Sequence, residues 1–151
     1  MSLRTAFDTP DWKRAHARAL FATIADRYDL ITAVLSYGQD ARWKRTLIAL
    51  ARVQRGERAL DLACGTGDIA FAAAANGARV VGLDITHRML QLAARKSATA
   101  AFVAGDMTSL PFGAQTFDLV TTGYGLRNVP DLGTAIDERS EERRVGKECC
   151  R

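Results

Sequence analysis

The stretch Leu60-Asp61-Leu62-Ala63-Cys64-Gly65-Thr66-Gly67-Asp68 decides the fold of this chain. A predicted strand from Ala59 to Ala63 runs into a glycine turn, and the turn opens an alanine-rich helix from Asp68 to Ala75. Asn76-Gly77 closes that helix, and a second strand is predicted from Arg79 to Asp84. Strand, helix and parallel strand on short connections form one unit of an open α/β sheet.

The alternation of strand and helix continues on the C-terminal side of this unit. Thr86 is placed to cap a second helix. Further strands are predicted from Ala100 to Ala104 and from Phe117 to Thr122. We therefore predict a Rossmann-like α/β fold, a parallel sheet with helices on both faces.

The N-terminal third of the chain is predicted to be helical. Apolar residues recur at helical spacing from about residue 11 to residue 54. Ser36-Tyr37-Gly38 interrupts the pattern, and Asp40 can cap a further helix. Because Gly56 marks a boundary, we divide the chain into a helical cap at residues 1–56 and a sheet-forming part at residues 57–138.

Composition excludes several classes of function. The 151 residues suit one domain, and 48% hydrophobic with 25% charged residues is ordinary globular composition. The net charge is +4, but the last thirteen residues hold five bases against three acids. The remaining bases form no stripe, so we predict no nucleic-acid partner.

Sequence features also bear on location. No apolar run approaches the roughly 20 residues that span a bilayer, and the N-terminus lacks the apolar core of a secretory signal. Outside the last residues, Cys64 is the one cysteine, which fits a reducing compartment. We therefore expect a cytoplasmic protein.

Acids and glycines recur where the predicted strands end, and ligands bind at this edge of an open parallel sheet. Gly65 and Gly67 would let the backbone approach a ligand, and Asp61 could accept a hydrogen bond from an ammonium. Asp84 could accept from two ribose hydroxyls. Asp106 could bind an adenine amino group beside Met107, and Thr122-Gly123 ends the fourth strand. This pattern favours S-adenosylmethionine, with Gly123 beneath the transferred methyl group.

A nicotinamide cofactor is the alternative, because Gly65 to Ala70 also fits the dinucleotide pattern G-x-G-x-x-A. Two acids argue against it. Asp61 lies within a strand, four residues before the first glycine, where dinucleotide folds usually have an apolar residue. Asp106 adds an acid at the end of the third strand.

Other reactive or aromatic side chains are given structural roles. Cys64 is predicted to be a buried thiol, since no histidine is visible as its partner. His16 and His87 lack metal-ligand spacing and are predicted to be surface residues, so we predict no metal site. Three aromatic residues of the cap are predicted to be core, with a substrate wall as the alternative: Tyr28, Tyr37 and Trp43.

Longer motifs resemble the ubiquinone/menaquinone biosynthesis C-methyltransferases. The resemblance covers residues from about Phe21 to Glu138. Its most specific part is Phe117-Asp118-x-Val120-Thr121-x-Gly123-Tyr124-Gly125-Leu126-Arg127-Asn128-Val129-Pro130-Asp131. Further matching segments are Phe21-x-x-Ile24-Ala25-x-Arg27-Tyr28-Asp29, Leu35-Ser36-x-Gly38-x-Asp40-x-x-Trp43-Lys44-Arg45, Asp61 to Asp68, Gly105-Asp106-Met107 and Leu110-Pro111-Phe112.

The resemblance implies a class I methyltransferase fold and methylation of a ring carbon on a polyprenylated quinol, with S-adenosylmethionine as donor. The ring, benzoquinol or naphthoquinol, stays open. An apolar substrate suggests peripheral contact at the inner membrane surface. The family's cofactor positions correspond here to Thr66, Asp84 with the adjoining Ile85, Asp106, Met107 and Gly123.

The same resemblance gives candidate catalytic residues. Arg127 could stabilise a developing phenolate and Asn128 could orient it, although both could equally cap the loop after the fourth strand. The general base stays open between Tyr28, Asp29 and a water near Arg127. Another O- or N-methyltransferase, or a non-catalytic subunit that binds the cofactor, is the alternative function.

The last residues, 139–151, depart from the family pattern. They resemble the conceptual translation of a sequencing adapter, whereas a solvated charged helix is the alternative. The resemblance then implies that the last strands of the fold are missing. We expect strand four to be an unpaired edge and the chain to be marginally stable with little activity.

Overall fold

The computed structural model describes residues 9–113, 115–125 and 145–147 of the chain. Five parallel strands form one sheet in the order β3-β2-β1-β4-β5. These strands are β1 (Arg58–Leu62), β2 (Arg79–Asp84), β3 (Ala100–Ala104), β4 (Leu119–Thr122) and β5 (Val145–Lys147). The order 3-2-1-4 confirms the predicted Rossmann-like sheet.

Helices precede the sheet and connect its first three strands. They are α1 (Pro10–Ile24), a 3₁₀ turn (Ala25–Arg27), α2 (Tyr28–Leu35), α3 (Asp40–Ala51), α4 (Asp68–Ala75) and α5 (His87–Lys96). The interruption predicted at Ser36-Tyr37-Gly38 separates α2 from α3. Gln39 is the N-cap of α3, whereas Asp40 is its first residue and is buried.

Element boundaries agree closely with the sequence patterns. The predicted β2, β3 and α4 have the observed limits. β1 ends one residue early because Ala63 turns to a φ of 50°. β4 begins at Leu119, since Phe117 packs edge-on against Phe112 instead of pairing in the sheet. Thr86 is the N-cap of α5, but its side chain makes no capping hydrogen bond.

One face of the sheet is covered by helices. Ala59, Val80 and Leu119 pack there in one cluster. α4 supplies Ile69, Ala70 and Ala73 to this cluster, and α3 supplies Leu47 and Ile48. α3 therefore shares a core with the sheet, although it precedes the boundary predicted at residue 56.

The second face of the sheet packs against a different set of residues. Leu60, Leu62 and Val120 form a separate cluster with Met107 and Phe117 from the β3–β4 connection. The connections from β1 to β2 and from β2 to β3 step in the same direction across the sheet. Because both crossovers are right-handed, their helices α4 and α5 lie on the same face, the first one. The helices predicted for the second face lie outside the described residues.

The outer edge of β4 is paired with a further strand. Val145–Lys147 pairs in parallel with β4, in a register that places Val145 beside Val120. The expectation that strand four is an unpaired edge is therefore wrong. An apolar edge strand presents unpaired backbone groups that a neighbouring segment can satisfy, and here Val145–Lys147 is that segment. None of the described helices is long and apolar enough to cross a bilayer.

Candidate functional site

The carboxyl ends of β1, β2, β3 and β4 open into one cleft. Its described lining includes seven predicted cofactor residues, namely Gly65, Thr66, Asp84, Ile85, Asp106, Met107 and Gly123. They come from four separate connections and meet because parallel strands end at the same edge. The cleft thus brings together most of the positions predicted from the sequence.

Asp84 joins the end of β2 to the glycine turn. Its Oδ2 accepts a hydrogen bond from the Gly65 backbone N–H at 2.8 Å, and its Oδ1 accepts from the Thr86 N–H at 2.7 Å. Burial raises the pKa of this carboxyl, although the backbone donors oppose the shift. Asp84 therefore fixes the turn while it also lines the cleft.

Asp61 lies in β1, four residues before Gly65, at 1% exposure, and is not part of the described cleft lining. The Thr121 hydroxyl donates to its Oδ1 at 2.9 Å. Its Oδ2 is buried without a hydrogen-bond partner among the described residues. Burial raises the pKa of Asp61 to about 7, against opposing hydrogen bonds from Thr121 and from the Ala70 backbone N–H. Asp61 is thus a buried acid whose surroundings favour the neutral form.

Asp106 and Met107 form the wall at the end of β3. Asp106 Oδ1 accepts from the Thr108 N–H at 2.8 Å and from the Thr108 hydroxyl at 2.7 Å, which fixes the turn after the strand. Met107 is 8% exposed and packs in the second-face core while it lines the cleft. A flat ring can lie against such a thioether side chain.

The glycines of the site have different roles. Gly65 lines the cleft at a φ of 54°. Gly67 does not line it: at a φ of 90° it faces the hydrophobic interior, where an added Cβ would lie 2.9 Å from the Phe71 ring. Gly67 was predicted to approach the cofactor, but its side-chain position is instead filled by packing. Gly123 lines the cleft beneath the end of β4.

The helical cap supplies one wall that the site prediction missed. Ala17, Phe21, Tyr28 and Lys44 line the cleft, and the Phe21 and Tyr28 rings meet edge-on at 6.1 Å. Tyr28 is therefore a wall residue, the alternative left open for it. Tyr37, at 93% exposure, and Trp43, at 41%, are not core residues, so that prediction is wrong for both.

Charged side chains link the cap to the glycine turn. Lys44 pairs with Asp40 in its own helix and with Asp68 Oδ2 at 2.8 Å. Lys96 Nζ lies 3.3 Å from Asp68 Oδ1 and 2.6 Å from Asp29 Oδ2. These pairs connect α2 and α3 to α4 and α5. The only sign of these ion pairs in the sequence is the alternation of acids and bases, and this alternation does not say which acid pairs with which base.

Five further residues were considered in the sequence as catalytic, reactive or metal-binding side chains. Arg127 and Asn128 lie outside the described residues. Cys64 lines the cleft, and burial raises the pKa of its thiol, which keeps it protonated. His16 and His87 are exposed, as predicted. Among residues 9–113, 115–125 and 145–147, no group of His, Cys, Asp and Glu side chains is arranged to hold a metal ion.

The sheet order, the glycine turn and the acids at the strand ends are typical of Rossmann-like methyltransferases. Residues 10–149 match the model of the ubiE/COQ5 methyltransferase family, and the chain belongs to this family. The resemblance found in the motifs is thereby confirmed.

Curated relatives carry the name demethylmenaquinone methyltransferase. The protein from Thermobifida fusca is 42% identical over 133 residues, which are 85% of this chain and 56% of that protein. Those from Thermotoga maritima and Roseiflexus sp. are 36% and 38% identical, over 91% and 94% of this chain and 57% and 61% of theirs. The chain thus spans little more than half the length of these relatives.

Solved structures share the fold. A phosphoethanolamine N-methyltransferase of Haemonchus contortus, in complex with S-adenosylhomocysteine, superposes with a TM-score of 0.76 over 95% of this chain and 34% of that one, at 16% identity. An S-adenosylmethionine-dependent methyltransferase from Mesorhizobium loti gives 0.59 at 27% identity, over 64% of this chain and 46% of the other. The predicted methyltransferase fold is confirmed. The names of these two neighbours carry the predicted cofactor or its product, S-adenosylmethionine or S-adenosylhomocysteine.

Proposed function

We propose that the cleft holds S-adenosylmethionine, and that the protein transfers its methyl group to a ring carbon of a polyprenylated quinol. The observation that carries this proposal is the meeting of Gly65, Asp84, Asp106 and Gly123 at one cleft. The names of the relatives, demethylmenaquinone methyltransferases, support the quinol as substrate.

The carboxylates in and behind the cleft suit the hydrogen-bond donors of this cofactor. Asp61 Oδ2 is a buried acceptor without a partner among the described residues, and such an atom costs about 1–3 kcal/mol. Since Asp61 is buried behind the described lining, the cofactor's ammonium would reach it through a water. We assign Asp84 to the ribose hydroxyls, and Asp106 and Met107 to the adenine ring, because all three line the cleft at the ends of β2 and β3.

The chain's own residues would orient the reactants and exclude water. When bound, S-adenosylmethionine supplies an electrophilic methyl group on a positively charged sulfur. Phe21, Tyr28 and Tyr124 give the cleft an apolar wall close to the glycine turn. A dry wall suits a flat quinol ring and holds it near the methyl group, which is the contribution that proximity and desolvation make to rate.

Two candidates for the general base are weakened by their surroundings. Burial raises the pKa of Tyr28, so its hydroxyl stays protonated at neutral pH. Asp29 accepts a hydrogen bond from Thr66 and pairs with Lys96. We therefore favour a water as acceptor of the quinol hydroxyl proton, with Arg127 stabilising the phenolate and Asn128 orienting it.

The substrate also bears on location. A polyprenylated quinol resides in a membrane, so we propose peripheral contact of the protein with the inner membrane surface, from the cytoplasmic side. Three exposed apolar side chains of α2 support this, namely Leu30, Val34 and Leu35. Flotation with vesicles of bacterial lipid tests it, and replacement of all three residues by serine should abolish flotation if α2 makes the contact.

The experiment that tests the reaction is methyl transfer from labelled S-adenosylmethionine. We expect labelled demethylmenaquinol or 2-methoxy-6-polyprenyl-1,4-benzoquinol, with the label on a ring carbon. Transfer to hydroxyl or amine compounds but not to either quinol would favour another small-molecule methyltransferase. Cofactor binding without transfer to any acceptor would favour a non-catalytic subunit.

A further inference from the structure

Lys44 occupies an unusual place in the cleft. It is the one lysine or arginine among the described residues that line it. Its side chain is only 13% exposed, although a lysine normally keeps its ammonium in water. Burial disfavours the charge, but hydrogen bonds to Asp40 and Asp68 outweigh this and raise the pKa of Lys44. A permanent positive charge is therefore held at the cleft wall.

The other charged residues of the described lining are all acidic. Asp68, Asp84 and Asp106 all line the cleft with Lys44. Such a set suits the cationic groups of S-adenosylmethionine, but it repels the carboxylate at the end of the cofactor's amino-acid part. Like charges at close range in a partly dry site disfavour binding, so a nearby cation would favour a carboxylate there.

The ion pairs around Lys44 allow it to take a new partner. Asp68 Oδ2 binds Lys44, while Asp68 Oδ1 lies 3.3 Å from Lys96 Nζ. If Lys44 moved from Asp68 to a ligand, Asp68 would keep Lys96. Asp40 would stay on Lys44, four residues earlier in the same helix. The exchange leaves no carboxylate of this cluster without a cation.

The location of Asp68 fixes which part of the ligand Lys44 can reach. Asp68 is the first residue of α4 and directly follows Gly65-Thr66-Gly67. Lys44 Nζ, 2.8 Å from Asp68, therefore lies at the β1 end of the cleft. The charge of Lys44 also acts on Asp61, since it opposes the rise in the pKa of that carboxyl. A ligand with an ammonium and a carboxylate on one carbon atom could place the carboxylate on Lys44 and turn the ammonium toward Asp61.

We propose that Lys44 binds the α-carboxylate of the cofactor's amino-acid part and exchanges Asp68 for it on binding. This inference rests on the proposed function, and it adds the cap residue that positions the methyl donor. It also explains why the cap is joined to the glycine turn by charged side chains: the cap carries the cation that the acidic strand ends cannot supply.

The test compares two ligands that differ in the amino-acid part. S-adenosylhomocysteine carries the carboxylate, whereas 5′-methylthioadenosine keeps the nucleoside and the sulfur without it. For Lys44→Gln we expect S-adenosylhomocysteine to bind about tenfold more weakly or worse, as for a lost charge-assisted hydrogen bond. Binding of 5′-methylthioadenosine should change by less than about twofold, and Lys44→Arg should restore much of the difference.

Arg45→Gln is the matched control, because Arg45 follows Lys44 in α3 but is exposed, bonds to the Ala41 carbonyl of its own helix and is not part of the described cleft lining. It should change the affinity for both ligands by the same factor. Equal weakening of both ligands by Lys44→Gln, or no weakening of either, would overturn the inference and leave the proposed function standing. If the unaltered chain bound neither ligand, the proposed function itself would fail.

Discussion

The Thr66 hydroxyl donates a 2.6 Å hydrogen bond to Asp29 Oδ1, across 37 residues of sequence. Thr66 belongs to the glycine turn and Asp29 to α2 of the cap. The other carboxylate oxygen of Asp29 pairs with Lys96 at the end of α5. Thr66 was predicted as a cofactor position, and the structure adds that its side chain fastens the cap to the turn.

Thr66→Val should loosen this attachment. Valine has a similar shape but cannot donate, so we expect a loss of about 1 kcal/mol in the free energy of unfolding and weaker binding of S-adenosylhomocysteine. Urea unfolding and calorimetry measure the two effects. Thr46→Val is the matched control, because Thr46 is exposed and its hydroxyl bonds only within α3, to Arg42. Equal effects of the two substitutions would contradict the assigned contact.

The raised pKa of the Asp61 carboxyl should make the free energy of unfolding depend on pH. Its pKa is about 7 in the folded chain against 3.8 for a free side chain. The folded state therefore holds a proton that the unfolded state has released. Stability should fall as pH rises from about 4 to 7. Asp61→Asn should flatten this slope, although the raised pKa of Asp84 leaves a slope of the same sign.

The affinity for the ligand should change with pH in the opposite direction to the stability. An ammonium near Asp61 favours the ionised carboxylate, so the affinity for S-adenosylhomocysteine should rise as pH increases through about 7. Binding should also release a proton, which calorimetry in buffers of different ionisation enthalpy detects. An Asp61→Asn variant with the same pH dependence as the unaltered chain would show that another group is responsible.

Gly67 should tolerate no side chain. It has a φ of 90°, and an added Cβ would lie 2.9 Å from two atoms of the Phe71 ring. Strained backbone of this kind costs about 1–3 kcal/mol, so Gly67→Ala should lower the midpoint of thermal unfolding by several degrees. Gly113→Ala is the control, since its Cβ would meet nothing closer than Thr116 at 3.7 Å. A stable Gly67→Ala variant would mean that the turn adopts another conformation.

Local patterns predicted the sheet well because each strand end was marked by its own residues. Periodicity and the glycine turn gave β2, β3 and α4 with their observed limits. Parallel topology then placed Asp84 and Asp106 at one edge. These features depend on spacing within a few residues, which a single sequence contains.

The cap wall could not be predicted in the same way. Phe21, Tyr28 and Lys44 reach the cleft through the packing of α1, α2 and α3 on the sheet, and helical periodicity does not say which neighbour a helix contacts. The same lack of tertiary information explains the errors at Tyr37 and Trp43, which have the composition of core residues but lie at the surface. It also explains why the pairing of β5 with β4 was missed.

Calorimetric titration of the chain with S-adenosylhomocysteine tests the central claim most directly. We predict saturable binding, weakened at least about tenfold by Asp84→Asn. Asp118→Asn should leave it unchanged, because Asp118 contacts Arg58 at the start of β1, at the opposite edge of the sheet. Absence of saturable binding, or binding of a nicotinamide dinucleotide in its place, would contradict the assignment of the cleft.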